Sequence, residues 1–146
     1  MELNFRVCEA AELSRGDFRA KIVNFLYEHL DEFRDAKEDI AQCLEYVNKE
    51  PGESGKVFLC QKGDEIQAVV VLNRTYMENF IPNYLLVYIA THKDVRGQGV
   101  GGKLISLVQK TIQAPIALHV EHENPAKKLY AKLGFTNKYT EMRWYP

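Results

Sequence analysis

The sequence predicts an α/β fold in which a mixed, mostly antiparallel sheet is flanked by four helices. Three observations support this prediction. Short stretches of alternating or β-branched residues recur along the chain, four segments carry apolar residues at helical spacing, and turn residues separate these segments. The chain has 146 residues, which is close to the size of one ordinary domain, so we expect a single domain over residues 1–146.

The first half of the chain carries the patterns of one strand, two helices and a hairpin. Residues 3–8 alternate apolar and polar side chains, as a strand with one buried face does. Apolar residues then fall three to four positions apart, the spacing of one helical face, until Glu50-Pro51-Gly52 ends the second helix. The predicted elements are a strand at 3–8, helices at 17–30 and 40–47, and strands at 56–60 and 66–72 joined by a polar turn at 61–65.

The second half of the chain alternates strands and helices, with a glycine-rich stretch at 97–102. Asn124 and Pro125 have the chemistry of a helix start, because the asparagine caps well and the proline lacks only an N–H that the first turn does not use. Gly134 suits the left-handed position that ends a helix. The predicted elements are strands at 84–90, 116–120 and 135–145, and helices at 104–112 and 125–133.

Composition places the chain among ordinary globular proteins. Hydrophobic residues make up 46% and charged residues 27%, which excludes a disordered chain, a collagen-like repeat and a strongly basic nucleic-acid tail. The net charge is −1, but residues 1–50 hold twelve acidic and seven basic side chains, whereas residues 51–146 hold eight and twelve. The basic second half suits an anionic small ligand, and the acidic first half suits a cationic substrate.

Cysteine usage and hydropathy indicate where the protein works. Cys8, Cys43 and Cys60 are odd in number, widely separated and without zinc-ligand spacing, which favours a reducing compartment. No apolar run approaches the roughly 20 residues that cross a bilayer, and the N-terminal residues lack the layout of a signal peptide. We therefore expect a cytoplasmic protein that binds neither membrane nor nucleic acid.

The segment from Arg96 to Lys103 is the clearest chemical feature of the sequence. It places four glycines within six residues, between a predicted strand and a predicted helix. Glycines let the backbone approach a ligand closely, and the N–H groups at the start of a helix attract negative charge. We therefore expect a phosphate or pyrophosphate to bind at this turn.

The glycine-rich segment has several interpretations. It has P-loop spacing, but Leu104 stands where a P-loop needs the hydroxyl that binds Mg²⁺. Its glycines also fit the pattern of dinucleotide-binding folds, with Glu121 near the place of the ribose-binding acid. Only 25 residues follow Glu121, too few to complete a doubly wound sheet. A simple turn without a ligand is a further alternative, although so many glycines weaken a helix start.

Another interpretation, Arg-x-x-Gly-x-Gly with Arg96, Gly99 and Gly101, is supported by a second motif. Residues 124–135 read Asn-Pro-Ala-Lys-Lys-Leu-Tyr-Ala-Lys-Leu-Gly-Phe. The two motifs together resemble those of the GNAT superfamily of acyl-CoA-dependent N-acyltransferases, and the order of predicted elements matches that fold. The resemblance is strongest over residues 84–135. It departs at one position, because many members have an asparagine seven residues before the tyrosine, where this chain has Glu123.

The resemblance implies where an acyl-CoA would bind. Ile89, Ala90 and Thr91, at the end of the central strand, would offer main-chain groups to the pantetheine arm, and one N–H would polarise the thioester carbonyl. Lys127 or its neighbour Lys128 would meet the 3′-phosphate, since adjacent helix positions point about 100° apart and only one can face a bound nucleotide. Asn124 is a further candidate contact to the acyl-CoA, and it equally suits a helix cap. The residues expected to hold the pyrophosphate are Arg96, Gly97, Gln98, Gly99, Val100, Gly101 and Gly102.

The resemblance also implies that Tyr130 is the general acid that protonates the departing thiol. A tyrosine packed on the apolar face of its helix is the alternative. The base is left between His119 and Glu121, which alternation places on one face of the strand that begins at Ile116. A histidine in a central strand is also often a hydrogen-bonded core residue. No metal is expected, because His122, the third residue of a candidate cluster, falls on the opposite face.

The predicted function is transfer of an acetyl group from acetyl-CoA to a primary amine of a small molecule or peptide, by direct attack in a ternary complex. No histidine or aspartate neighbours Cys60 in sequence, which disfavours an acyl-cysteine route. The alternative function is a non-catalytic module that senses coenzyme A. The acceptor amine, the acyl chain length and homodimer formation are left open. Asp31, Glu32 and Asp35 form an acidic cluster that would attract a polyamine or a lysine-rich peptide.

Overall fold

The computed structural model describes residues 2–146 and contains a five-stranded sheet with helices on both faces. The predicted α/β fold class is confirmed. Among residues 2–146, no helix has both the length and the apolar character needed to cross a membrane. The strands and helices, in chain order, are β1 (Leu3–Val7), α1 (Ala10–Leu13), α2 (Gly16–His29), α3 (Lys37–Val47), β2 (Gly55–Lys62), β3 (Glu65–Arg74), β4 (Tyr84–Thr91), α4 (Val100–Ile112), β5 (Ile116–Leu118) and α5 (Ala126–Lys132).

The strands lie in the sheet in the same order as in the chain, β1-β2-β3-β4-β5. The first four strands pair antiparallel, and β4 pairs with β5 in parallel, so the sheet is mixed and mostly antiparallel as predicted. Lys62 of β2 pairs with Glu65 of β3, which leaves a two-residue turn between them. The hairpin predicted from the sequence is therefore confirmed.

The two faces of β3 belong to two separate hydrophobic cores. Val69 and Val71 pack with the layer of α1, α2 and α3, whereas Val70 and Leu72 pack with α4 and α5. A strand covered on both faces reads as a continuous apolar run, as β3 does. Fully buried helix residues that complete the cores are Ile22, Leu26, Ile40 and Val47 on one face and Leu104, Ile105 and Val108 on the other.

A β-bulge in β4 changes which side chains face each helical layer. Val71 pairs with Tyr88 and Leu72 pairs with Leu86, so Val87 is the extra residue of the bulge. Leu86 packs with the α4 and α5 layer, but Tyr88 packs with the α2 and α3 layer. Simple alternation from Leu86 would have put both side chains on the same face. The bulge therefore turns Tyr88 toward α2 and α3.

Two predictions about the second half of the chain are wrong. The strand predicted at 116–120 ends at Leu118. Residues 135–146, all of which the structure describes, form no strand, and Tyr139, Met142 and Trp144 are strongly exposed. Their residue types favour strands because such side chains pack well on a half-buried pleated surface, and these exposed residues pack on none. The structure also adds α1, whose four residues are too few to show an apolar period.

Candidate active site

A cleft opens in the sheet where β4 and β5 part. The described pairing joins Tyr84–Leu86 of β4 to Ile116–Leu118 of β5. β4 continues through residues 87–91, so in the described chain this part of its edge faces the cleft instead of a neighbouring strand. Main-chain donors and acceptors along this open edge are available to a ligand.

The direction of the main-chain groups decides which residues of β4 face the cleft. The N–H of His92 donates to the carbonyl oxygen of Gln67 at 2.8 Å, in the direction of β3. Main-chain groups alternate in direction along a strand, so Ala90 also faces β3, while Ile89 and Thr91 face the cleft. All three residues were predicted to offer main-chain groups to the donor. The main-chain groups of Ile89 and Thr91 point to the cleft, where the Thr91 carbonyl oxygen already accepts from Arg96, whereas those of Ala90 point to β3. Donor binding at these residues stays a prediction.

The glycine-rich turn follows the end of the open edge. Gly97 and Gly99 have φ angles of +79° and +78°, a left-handed conformation that side-chain-bearing residues rarely adopt. α4 starts at Val100, so the N–H groups of its first turn have no partner within the helix. These N–H groups and the positive end of the helix dipole suit an anion.

Two further glycines bring the turn against its neighbours. A Cβ on Gly101 would lie 3.4 Å from Thr91 Oγ1 and 3.7 Å from Leu129 Cδ2, so this residue contacts both β4 and α5. A Cβ on Gly102 would lie 3.4 Å from Leu129 Cδ1. β4, α4 and α5 therefore come together at Gly101 and Gly102, at distances that are ordinary van der Waals contacts. The residues present fit the predicted pyrophosphate of a coenzyme A donor.

The guanidinium group of Arg96 is engaged by the protein itself. Its Nε donates to the carbonyl oxygen of Thr91 at 3.1 Å, its Nη1 to Asp31 Oδ2 at 2.7 Å and its Nη2 to the carbonyl oxygen of His29 at 2.7 Å. Each of its nitrogens thus meets a protein oxygen, but the structure pairs only three of the five guanidinium N–H groups, so the contribution of Arg96 to the pyrophosphate site stays a prediction. Gln98, predicted beside it, is exposed.

Tyr130 lies on the buried face of α5, with 6% of its surface exposed. Its ring meets the ring of Phe135 edge-on, with 5.9 Å between the centroids. Burial raises the pKa of Tyr130 to about 12, so the phenol is neutral at pH 7 and keeps its proton to donate. The preceding residue, Leu129, lies beside the glycine turn, so α5 runs next to that turn.

The side chain of Asn124 bonds to the start of α5, but the helix begins one residue later than predicted, at Ala126, so Pro125 and not Asn124 takes the N-cap position. Asn124 Oδ1 accepts a hydrogen bond from the main-chain N–H of Ala126 at 2.9 Å, so the side-chain oxygen satisfies a free donor of the first turn. A contact of Asn124 with the donor stays a prediction for its amide nitrogen. Lys127 is exposed in the first turn of the helix, where a phosphate can reach it.

The two candidates for the base lie beyond the end of β5, and their surroundings differ. His119 is 54% exposed, and its Nδ1 lies 3.8 Å from Glu141 Oε1 of the C-terminal segment. Glu121 lies in the loop between β5 and α5. The predicted sharing of one strand face by His119 and Glu121 is therefore wrong. The residues that line a cavity of about 410 Å³ beside this loop are Glu32, Phe33, Glu121, His122 and Glu123.

A hydrogen bond between Tyr88 and Asp35 was not predicted from the sequence. The Tyr88 hydroxyl donates to Asp35 Oδ2 at 2.6 Å. Burial, and after it this hydrogen bond, raise the pKa of Tyr88 far above its ordinary value, so the phenol stays protonated. The bulge at Val87 creates the contact, and alternation alone gives no indication of it.

His29, at the end of α2, is buried against the segment that follows β4. Its Nδ1 accepts a hydrogen bond from the main-chain N–H of Lys93 at 3.3 Å, and its ring centroid lies 4.3 Å from that of His92. The sequence contained an indication of this burial, because His29 follows the buried Phe25 and Leu26 at helical spacing.

We expect His29 to make folding stability depend on pH. Burial, and after it His92, lower the pKa of His29 below its ordinary value near 6.5. Between the lowered pKa and about 6.5 the unfolded chain binds a proton that the folded chain refuses, so stability is complete above about 6.5 and is lost as the pH falls. Urea unfolding at pH 7.5 and at pH 5.5 measures this loss.

The variant His29→Asn tests the assignment, because an asparagine oxygen can take the place of Nδ1 without titrating. We expect the loss of unfolding free energy between the two pH values to shrink in His29→Asn and to stay unchanged in His122→Gln, which alters an exposed histidine. An equal loss in the wild type and in His29→Asn would assign the pH dependence to other groups.

Comparison with known structures identifies proteins with the same fold. The ribosomal-protein-S18-alanine N-acetyltransferase from Escherichia coli superposes with a TM-score of 0.72 at 18% identity, covering 98% of this chain and 84% of that one. An aminoglycoside N-acetyltransferase solved with CoA gives 0.69 at 16% identity, with coverage of 99% and 95%. A transcriptional regulator from Bacillus halodurans C-125 gives 0.70 at 17% identity, with coverage of 97% and 99%. At these identities the likeness shows the fold alone.

Comparison of sequences identifies the family. A search of curated proteins finds no significant match. The family model described as an acetyltransferase (GNAT) domain matches residues 53–137, which is more than half of the chain. This range contains the open edge of β4, the glycine turn and all of α5. The resemblance inferred from the two motifs is thereby confirmed, and the chain belongs to the GNAT acetyltransferase family.

Proposed function

We propose that this chain transfers an acetyl group from acetyl-CoA to a primary amine of a small molecule or peptide, by direct attack in a ternary complex. The observation that carries the proposal is the convergence at Gly101, where a Cβ would lie 3.4 Å from Thr91 and 3.7 Å from Leu129. This contact joins the open edge of β4, the glycine turn and the helix that carries Tyr130. A similar structure, the aminoglycoside N-acetyltransferase, was solved with CoA, which supports the donor.

Main-chain groups would hold and activate the donor. The N–H groups of the glycine turn and of the first turn of α4 would bind the pyrophosphate, and the exposed Lys127 would meet the 3′-phosphate. The N–H of Ile89, which faces the cleft, would donate to the thioester carbonyl oxygen. Negative charge develops on this oxygen when the amine attacks, so a donor placed there lowers the barrier.

Tyr130 would act on the departing thiolate. The pKa of its phenol is raised to about 12 by burial, whereas an ordinary thiol has a pKa near 8.5, so complete transfer of the phenol proton to the thiolate is uphill. We assign Tyr130 a hydrogen bond that stabilises the thiolate as the carbon–sulfur bond breaks. The attacking amine loses one proton and the released thiolate finally takes up one proton, so these two transfers balance.

Glu121 and His119 are the proposed acceptors of the amine proton. Glu121 lines the cavity of about 410 Å³ together with Glu32 and Phe33, which suits an amine that enters there. The three glutamates of this cavity favour a cationic acceptor, such as a polyamine or a lysine-rich peptide.

We place the reaction in the cytoplasm, since a reducing compartment suits the free cysteines Cys8, Cys43 and Cys60.

The experiment combines acetyl-CoA with a panel of primary amines and measures release of free thiol together with the mass of the product. We expect thiol release that depends on the amine and a mass gain of one acetyl group. Assays of His119→Ala and Glu121→Gln across pH then show which variant loses the acidic limb of the rate profile. Binding of CoA by calorimetry without turnover on any amine would support the alternative, a non-catalytic CoA sensor.

A further inference from the structure

The turn that follows α2 is tied to the segment that leads from β4 into the glycine turn. Arg96 donates to Asp31 Oδ2 and to the carbonyl oxygen of His29, both at 2.7 Å, across 65 and 67 residues of sequence. Lys93 adds a second connection, with its Nζ 3.5 Å from Asp31 Oδ1. These contacts join the turn after α2 to the segment between β4 and α4.

Asp31 needs such a connection to keep its position. Its φ angle is +57°, a left-handed conformation that costs energy in a residue with a side chain. The hydrogen bond from Arg96 also holds the pKa of Asp31 below its usual range, so the carboxylate is charged at neutral pH. The ion pair is partly exposed, with 42% of the Arg96 side chain and 39% of the Asp31 side chain in contact with solvent. Pairs of this kind contribute little to folding stability, so the fold does not depend on it.

The tied turn forms one wall of the cavity assigned to the amine. Glu32 and Phe33, the residues that follow Asp31, line this cavity together with Glu121. The far end of the same turn is held at the bulge of β4 by the 2.6 Å hydrogen bond from Tyr88 to Asp35. We call residues 31–35 the acceptor wall. Both of its ends are thus attached to the strand and the turn that would bind the donor.

We propose that Arg96 is a positioning residue that couples the two substrate sites: an anion bound in the glycine turn orders Arg96, and Arg96 holds Asp31 and the acceptor wall in the amine-binding position. This inference rests on the proposed function and extends it. Arg96 directly precedes Gly97, whose left-handed φ angle starts the turn, so ordering of the turn fixes the arginine backbone. Donor and amine therefore bind with positive cooperativity, and either one raises the affinity for the other by the same factor.

A direct contact of Arg96 with the pyrophosphate predicts a different result from positioning. A phosphate ligand lost in Arg96→Gln would weaken CoA binding whether or not an amine is present, and Asp31 would play no part. Removal of the negative charge of Asp31 near an anion site would even raise the affinity for CoA slightly. Under the positioning role, Arg96→Gln and Asp31→Asn break the same contact and share one effect.

Steady-state kinetics and calorimetry test the coupling. We expect Arg96→Gln and Asp31→Asn each to raise the KM for the amine by about 10-fold, within the usual range of coupling between sites, with a CoA dissociation constant measured without amine that changes less than about 3-fold. The double variant should be no worse than either single variant. Asp94→Asn, an exposed carboxylate in the neighbouring 3-10 turn, is the matched control and should keep the wild-type values. Weaker CoA binding in Arg96→Gln alone, with a normal Asp31→Asn, would overturn the proposal.

Hydrogen exchange measures the coupling between the donor site and the acceptor wall when no reaction takes place. We expect CoA to slow amide exchange at residues 30–35 in the wild type and in Asp94→Asn. In Arg96→Gln, CoA should still bind but should no longer slow exchange at these residues. Equal protection of this turn in Arg96→Gln, or no protection in the wild type, would refute the positioning role. Protection that depends on Arg96 in a protein that acetylates no amine would instead refute the proposed acetyl transfer and leave the coupling in place.

Discussion

Replacement of Tyr130 by phenylalanine is expected to lower kcat by about 100-fold, near the lower limit for removing one hydrogen-bond donor to a developing negative charge. The phenylalanine ring keeps the edge-on contact with Phe135, so packing of α5 is preserved. Only the hydroxyl that would stabilise the departing thiolate is lost. The affinity for CoA, measured by calorimetry, should stay within about 2-fold of the wild type, because the pyrophosphate contacts assigned to the glycine turn are untouched.

Tyr84→Phe is the matched control for this change. Tyr84 is a partly buried tyrosine of β4 that packs against the same core as Tyr130, and it has no role in the proposed chemistry. Its kcat should equal that of the wild type. An unchanged kcat in Tyr130→Phe would return Tyr130 to a packing role, and a parallel loss of CoA affinity would indicate that its hydroxyl binds the donor before the reaction begins.

The parts of the fold that the sequence could predict depend on neighbours in the chain. The hairpin around residues 63–64 needs only a polar turn between two apolar runs. The side-chain hydrogen bond at the start of α5 needs only an asparagine two residues before a free N–H, and the contact of Asn124 with Ala126 has that spacing. The glycine turn was likewise recognised from a few consecutive residues and lies between β4 and α4 as expected. Local rules suffice for these features because the interacting groups are close in sequence.

The features that could not be predicted depend on contacts between distant segments. Alternation gave no indication of the bulge at Val87, which turns Tyr88 toward Asp35, 53 residues away. Arg96 was assigned to the pyrophosphate site as part of its motif, and its contact with Asp31, 65 residues away, was not predicted. The C-terminal residues have strand-forming side chains, and whether such a segment pairs depends on the sheet edge beside it rather than on its own sequence.

Replacement of Gly99 by valine is expected to weaken CoA binding by at least about 100-fold, equivalent to losing one or two hydrogen bonds to a charged group. Gly99 has a φ angle of +78° and precedes the first residue of α4. A β-branched residue disfavours this conformation, so the backbone shifts and the N–H groups of the turn no longer point at one anion. Calorimetry with CoA measures the loss, and acetylation should fall with it.

Strain in the backbone and loss of the anion site have to be separated in this experiment. Gly52→Val is the matched control, because Gly52 has a φ angle of +80°, has no atom near its Cβ position and lies in the turn before β2, far along the chain from the glycine turn. Both variants should lose about 1–2 kcal/mol of unfolding free energy from the left-handed conformation. Only Gly99→Val should also lose CoA affinity. If the two variants bind CoA equally well, then the turn does not hold the pyrophosphate, and the donor site assigned to this chain must lie elsewhere.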